Sequence, residues 1–258
     1  MSTPQTPKFI LRRFLLRSAH RLLRARSTPY QARAKGPALV IAPHPDDESF
    51  GCGGWIVLQR AAGRDIHVLF LTDGEASHPG HPNFTSHEIK LLRAVEAKMA
   101  ASALGLSADH LHFFGLPDGE LDALEPSIAQ NACARLHAFI RKLAPAEILL
   151  PCHDDGSSEH EAAFRLVTAP LTGMSDAPRI LEFPVWSWWS PRLTWRLALA
   201  KGRVYHCLFP RQLSAKLTAL ACYRSQTEPL PPWTAPVLPE GYATAFHAPE
   251  EFFFENKC

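Results

Sequence analysis

Apolar and polar positions along this chain fall into blocks. Short, mostly apolar runs at Ala38–Ala42, Asp65–Thr72, Leu111–Gly115, Glu147–Cys152 and Arg179–Trp186 are bounded by Gly, Pro and Asp. Runs of this length and composition predict strands buried on both faces. Between them lie segments whose apolar residues recur every three to four positions: Trp55–Ala62, Thr85–Leu104, Pro126–Leu143 and Ala162–Val167. These predict helices, and Gln212–Tyr223 follows as another. Strand and helix in alternation predict an α/β fold, with one Rossmann-like, mostly parallel sheet and helices on both faces, in a single domain. No GxGxxG follows the first strand, so a dinucleotide site has no support. Residues 227–240 carry five prolines and no periodicity, and predict an irregular loop.

The N-terminal part has another pattern. Residues 1–7 are polar and predict disorder. In Lys8–Arg26 the residues Leu11, Phe14, Leu15, Ser18 and Leu22 share one stripe, with arginines around it. Such a helix either lies on an anionic membrane surface or packs its stripe on the body or on a second subunit. Residues 27–37 read as a linker. The organisation is therefore a basic amphipathic extension over 1–35 and a body over 36–258.

The apolar run Ala38–Ala42 stops at Pro43, and His44, Asp46, Asp47 and Glu48 follow at once. Ligand sites in open α/β sheets lie off the carboxyl ends of strands. An imidazole and three carboxylates there are costly unless a cation or substrate compensates them. A capped helix N-terminus accounts for one or two acids, not for this set. His44 and Asp47, three residues apart, share a face of a helical turn and are of metal-ligand type. Asp46 between them is placed to act as general base. The glycines of Gly51-Cys52-Gly53-Gly54 predict a tight turn ahead of the helix at Trp55. A second cluster, His153-Asp-Asp-Gly-Ser-Ser-Glu-His-Glu161, follows the run at Glu147–Cys152. Another strand end in the same sheet is the natural source of a third ligand, and His160 opens the helix there.

Pro43-His44-Pro45-Asp46-Asp47-Glu48 resembles the signature of the LmbE-like, or PIG-L, zinc deacetylases, which remove acetyl groups from N-acetylglucosamine conjugates and related amides. The resemblance implies one zinc per chain on His44 and Asp47, with Fe2+ or another divalent metal as a substitute, and Asp46 as base. Asp155-Gly-Ser-Ser-Glu-His-Glu-Ala162 resembles the family's Asp-Gly-His-Pro-Asp-His-Glu-Ala, which makes His160 the third ligand. Glu159 keeps a carboxylate there, whereas Ser157 departs from a His that helps to stabilise charge; His153 is a candidate to compensate. Arg93 and Glu96 resemble a helical Arg-x-x-Glu in which the Arg binds substrate, and Asp118 resembles an acid that contacts the sugar. Arg93, Asp118, Asp155 and His153 are thus the substrate-side candidates. Lys216–Gln226 and the tail Ala248–Glu255 resemble segments that support the body. The resemblance runs over residues 38–255. The expected activity is hydrolysis of an N-acetyl group on an amino-sugar conjugate. The alternatives are a hydrolase of non-sugar acylated amines, with an apolar pocket built from Trp186, Trp188, Trp189 and Trp195, and a sugar-binding protein without turnover.

Composition adds three constraints. The chain of 258 residues is 46% apolar, enough for one sizeable core. Of its 27 Lys and Arg, nine lie in residues 1–35 with no acid among them, leaving 18 against 25 acidic residues in the body. An acidic body argues against a nucleic-acid partner. The six cysteines (52, 133, 152, 207, 222, 258) form no CxxC pair and read as reduced, mostly buried thiols. With no secretory or membrane-spanning pattern, the expected location is the cytoplasm, peripheral at the inner face of the membrane if the basic helix binds lipid.

Overall fold

The computed structural model describes residues 7–32, 36–172 and 176–255. Of the segment expected to be disordered, residues 1–6 lie outside the described residues and Pro7 opens helix α1 (Pro7–Arg26). One eight-stranded sheet organises the molecule, in the order β1-β7-β8-β6-β5-β2-β3-β4. Its strands are β1 (Thr28–Pro29), β2 (Ala38–Ala42), β3 (Ile66–Thr72), β4 (Leu111–Leu116), β5 (Glu147–Pro151), β6 (Arg179–Phe183), β7 (Arg203–Leu208) and β8 (Glu250–Glu255). All pairings are parallel except those of β8, which is antiparallel to β6 and β7.

β2 and β5 are buried at every residue, as their unbroken apolar runs require. Alternate residues feed two cores. Ala38, Val40, Val68 and Phe70 pack with helices α2 (Asp47–Ala61), α3 (Ser86–Ala103) and α7 (Leu213–Cys222). Leu39, Ile41, Leu69 and Ile148 pack with α4 (Pro126–Leu143) and α5 (Ser158–Thr168). From β2 the chain moves outward through β3 and β4, then returns to β5 on the other side of β2. The crevice between the carboxyl ends of β2 and β5 is the switch point of this sheet.

Three expectations need correction. The 27–37 segment is not a plain linker: Thr28 and Pro29 pair with Tyr205 and His206 at the sheet edge. Gly51, Gly53 and Gly54 do not form a turn, because α2 already begins at Asp47 and runs through them, with a kink at Cys52. The role of Gly51 and Gly54 is close approach. A Cβ on Gly51 would lie 2.0 Å from the Phe183 ring, and one on Gly54 2.3 Å from that of Phe209. The third correction concerns the tryptophans. Trp188 is buried, and Trp186, Trp189 and Trp195, the last within helix α6 (Pro191–Leu199), lean on the same core, so the run is largely core packing.

α1 lies on the body with Ala19 and Leu23 fully buried. Arg26 donates to the carbonyls of Ala198 (2.7 Å) and Ala200 (2.6 Å), which satisfies the C-terminal end of α6. Arg12 donates to the Trp189 carbonyl (2.7 Å) and lies 3.7 Å above its ring. No helix among the described residues is long and apolar enough to cross a membrane.

Candidate active site

β2 delivers the first cluster into the crevice. Asp46 caps α2 with φ 140°, a conformation rare for a residue with a side chain. Glu48 enforces it. The Glu48 Oε2 accepts from the Asp46 N–H (3.0 Å), and its Oε1 accepts from Ser49 Oγ (2.5 Å) and the Tyr223 hydroxyl (2.6 Å). Glu48 thus spends its carboxylate on holding the turn. Arg93 packs on the other side, donating from Nη2 to the Pro45 carbonyl and lying 3.2 Å from Asp46 Oδ2. Burial raises the Asp46 pKa; Arg93 opposes this and Asp47 adds to it, leaving it at about 7.

β5 delivers the second cluster. Asp155, fully buried, accepts from the backbone N–H groups of Val185 (3.1 Å), Trp186 (2.9 Å) and Ser187 (3.0 Å). It also accepts from His160 Nδ1 at 2.8 Å. That bond fixes the tautomer and turns His160 Nε2 toward Asp47, 3.4 Å from Oδ1. His160 Nε2 is buried and has no hydrogen-bond partner. Ser157 caps α5, its Oγ accepting from the His160 N–H at 3.5 Å.

His44 stands between the clusters. Its Nδ1 lies 3.2 Å from Asp47 Oδ2, and its Nε2 lies 2.6 Å from Glu159 Oε2 and 3.3 Å from Asp118 Oδ1. Burial alone would lower its pKa, but Asp118, Asp47 and Glu159 hold it well above the usual value. Burial alone would likewise raise Asp47, yet His160 and His44 hold it low. His160 is pulled up to about 9 against its burial by Asp47 and Asp155.

The residues present fit a divalent cation. One ligand atom from each of His44, Asp47 and His160 lies within 4.8 Å of the others, and the orphaned His160 Nε2 is backed by a carboxylate on its outer nitrogen. Metal-binding imidazoles are held in this way. A cation here would do the work that a proton does on His160 in its absence. Asp118 and Glu159 form a second grouping around His44. Their oxygens also accept from Thr72 Oγ1 (3.1 Å), the Ala76 N–H (2.7 Å) and the Leu121 N–H (3.0 Å), so both hold His44 from outside.

Above these groups opens a cavity of about 470 Å³, lined by His44, Asp46, Asp47, Arg93, Asp118, Ser157 and Glu159 on its polar side. Phe50, Val185, Trp186, Val237, Leu238 and Tyr242 form its apolar side. The size is that of a small-molecule site. Arg93 and Asp118 therefore stand where a substrate would lie. Arg93 keeps Nε and Nη1 buried without a hydrogen-bond partner, and Glu96 accepts from the Ser225 N–H and Oγ, both at 2.7 Å.

Two candidates fall outside the cavity. Asp155 is wholly buried beneath it and supports His160. His153 lines a different cleft with Glu182 and Arg196; its ring donates to Glu182 Oε2 at 2.6 Å, so it cannot replace the missing histidine at 157. Of the four tryptophans only Trp186 reaches the cavity wall. The supporting roles of Tyr223 and Glu48 were not foreseen, although Glu48 sits inside the first motif. Lys216 and the tail acid Glu251 do support the body. Lys216 Nζ lies 2.7 Å from Glu251 Oε1, whose carboxylate accepts from the Gly54 and Trp55 N–H groups, both at 2.8 Å.

Comparison with known proteins agrees with this geometry. The PIG-L family, described as GlcNAc-PI de-N-acetylase, matches residues 39–171, half of the chain. The chain belongs to this family. It is 34% identical over 113 residues to the diacetylchitobiose deacetylase of Thermococcus kodakarensis, a match covering 44% of this chain and 39% of that enzyme. It is 28% identical over 200 residues to a probable N-acetyl-alpha-D-glucosaminyl L-malate deacetylase of Bacillus cereus, covering 74% of this chain and 83% of that one. Among solved structures, a conserved protein of Thermus thermophilus superposes with a TM-score of 0.55 at 28% identity, covering 74% of this chain and 79% of the other.

Proposed function

We propose that this protein is a metal-dependent deacetylase of amino-sugar conjugates, with His44, Asp47 and His160 as metal ligands and Asp46 as general base. The observation that carries the proposal is the buried, unpartnered His160 Nε2 facing Asp47, with His44 in reach and Asp46 on the adjoining residue. The deacetylase relatives favour a GlcNAc-type substrate.

A zinc-type ion, when bound, supplies Lewis acidity and lowers the pKa of water toward neutrality. Asp46, poised near neutral pH, takes the proton of the attacking water at its carboxylate. It then gives a proton to the departing amine nitrogen, and the products are acetate and a free amine. Arg93 orients Asp46 from the cavity wall. Ser157 Oγ accepts at the helix cap, so its own proton is free to donate to the developing oxyanion where the family has a histidine. The apolar wall excludes water from the far side.

The test is acetate release from a panel of N-acetylglucosamine conjugates by zinc-loaded enzyme. Release that Asp46→Ala abolishes supports the proposal. Sugar binding without acetate release from any conjugate contradicts it. The apolar wall of Phe50, Val185, Trp186 and Leu238 favours one second reading, a non-sugar acylated amine, which turnover of long-chain amides alone would select.

We further propose that α1 contacts an anionic lipid surface. Leu11 is 58% and Phe14 63% exposed, and Arg17 and Arg21 continue the same stripe in solvent. Leu11→Asp with Phe14→Asp in the full chain should abolish binding to anionic vesicles and leave catalysis intact. Unchanged binding removes the helix from this role.

A further inference from the structure

At the far end of the sheet three histidines and an acid meet. Asp65 ends the loop before β3, His67 is the second residue of β3, His110 closes a 3-10 turn at Ala108–His110, and His112 is the second residue of β4. β3 runs on to Thr72 beside the candidate active site. His67 is five residues back, about 16 Å at ~3.3 Å per residue, so the two places are separate.

The Asp65 carboxylate faces both rings. Its Oδ2 lies 3.2 Å from His67 Nε2 and its Oδ1 3.2 Å from His110 Nε2. One ligand atom from each of the three residues lies within 4.8 Å of the others. The outer nitrogens are already engaged: His110 Nδ1 lies 2.7 Å from Ser107 Oγ, and His67 Nδ1 lies 3.0 Å from His112 Nε2. In the tautomer in which Ser107 Oγ and the His112 imidazole accept the Nδ1 protons, both Nε2 atoms carry lone pairs toward one carboxylate; in the other, the Nε2–H groups donate to Asp65. Lone pairs and carboxylate oxygens repel unless a cation lies among them. An outer-nitrogen bond that fixes the ring and aims the other nitrogen at a shared point is the support that metal-binding histidines have.

We propose that Asp65, His67 and His110 form a second divalent-cation site of the zinc type, distinct from the one in the crevice. Two imidazole nitrogens and a carboxylate suit that ion. Bonds of about 2.0–2.1 Å would bring the donors to about 3.3 Å apart, a small closure for a side chain as free as Asp65, which is 54% exposed. The exposed side is open to water as a fourth ligand and to entry of the ion. The ion ties the loop before β3, β3 itself and the turn before β4 together, and so staples β4, one of the two edge strands of the sheet.

The experiment is zinc stoichiometry by equilibrium dialysis and elemental analysis, with thermal melting. Four full-length proteins are compared: wild type, His160→Ala, His67→Ala/His110→Ala, and the triple variant. The expected counts are two, one, one and none. Zinc should raise Tm in the His160→Ala protein and not in the triple variant. Asp65→Asn, at an exposed position that threatens no core packing, should lose the same ion as the double variant. Equal counts for His160→Ala and the triple variant would overturn the proposal and leave Asp65 as the partner of two protonated rings. An ion count that His160→Ala leaves unchanged, while the double variant still loses one, speaks against the active-site reading and leaves this one standing.

Discussion

The two halves of the candidate active site reach the same crevice by different means. The half after β2 is contiguous: six residues from Pro43 to Glu48 carry two of the proposed ligands, the proposed base and the acid that holds the backbone around them. The half after β5 is assembled from a distance. His160 is aimed by Asp155, and Asp155 is held by three backbone N–H groups some thirty residues later, at Val185, Trp186 and Ser187. The first half stores its precision in a strained turn, the second in a hydrogen-bond network. Substitution of the proposed base in the first half should therefore cost chemistry, and of the support of His160 in the second the hold on the metal.

The largest effect expected is that of Asp46→Ala. Loss of the base should lower kcat by about 10²–10⁴-fold while metal content stays at the wild-type value. Parallel loss of metal would erase the distinction between the halves. Next is Asp155→Asn, which keeps shape but sets an amide against His160 and the backbone donors. Metal affinity should fall by about 10–100-fold, read by chelator competition, with kcat of the metal-saturated enzyme far less changed.

Tyr223→Phe sharpens the first half. It removes one donor to the buried Glu48 carboxylate and should cost about 1–3 kcal/mol in urea unfolding. Unchanged stability would show that Ser49 and the Asp46 N–H hold Glu48 unaided.

The smallest effect is that of His153→Ala, outside the cavity. Glu182 raises the His153 pKa above its usual value, so the folded state favours the protonated ring. Its contribution is complete below the unfolded pKa of about 6.5 and is lost as pH rises through the raised folded value. The variant should be less stable than wild type at about pH 6 and nearly equal to it at about pH 9, with acetate release unaffected. A loss of activity would return His153 to the site.

The legibility of the sequence follows the same division. β2 and α4 (Pro126–Leu143) are where periodicity places them, because unbroken apolar runs and a Pro-to-Leu amphipathic stretch leave few alternatives. The first motif could be read because its chemistry is local. The support of His160 could not, since nothing near residue 155 announces backbone donors at 185–187. Tyr223 and Glu48 meet across 175 residues. β7 is not legible because exposed Arg203 and Leu208 flank buried Val204, His206 and Cys207 without a clean alternation, and β8 because its antiparallel pairing breaks the alternation of the body. Gly51 and Gly54 suggest a break by propensity, and only the rings of Phe183 and Phe209 pressed on them explain a helix there.

The central claim is that two motifs over a hundred residues apart converge on one cation. Metal content of the wild type beside His160→Ala, with acetate release from the same samples, tests it most directly. The account predicts one fewer ion per chain in the variant and no acetate release. An unchanged ion count, or a wild type that takes up no metal after zinc loading, would contradict it.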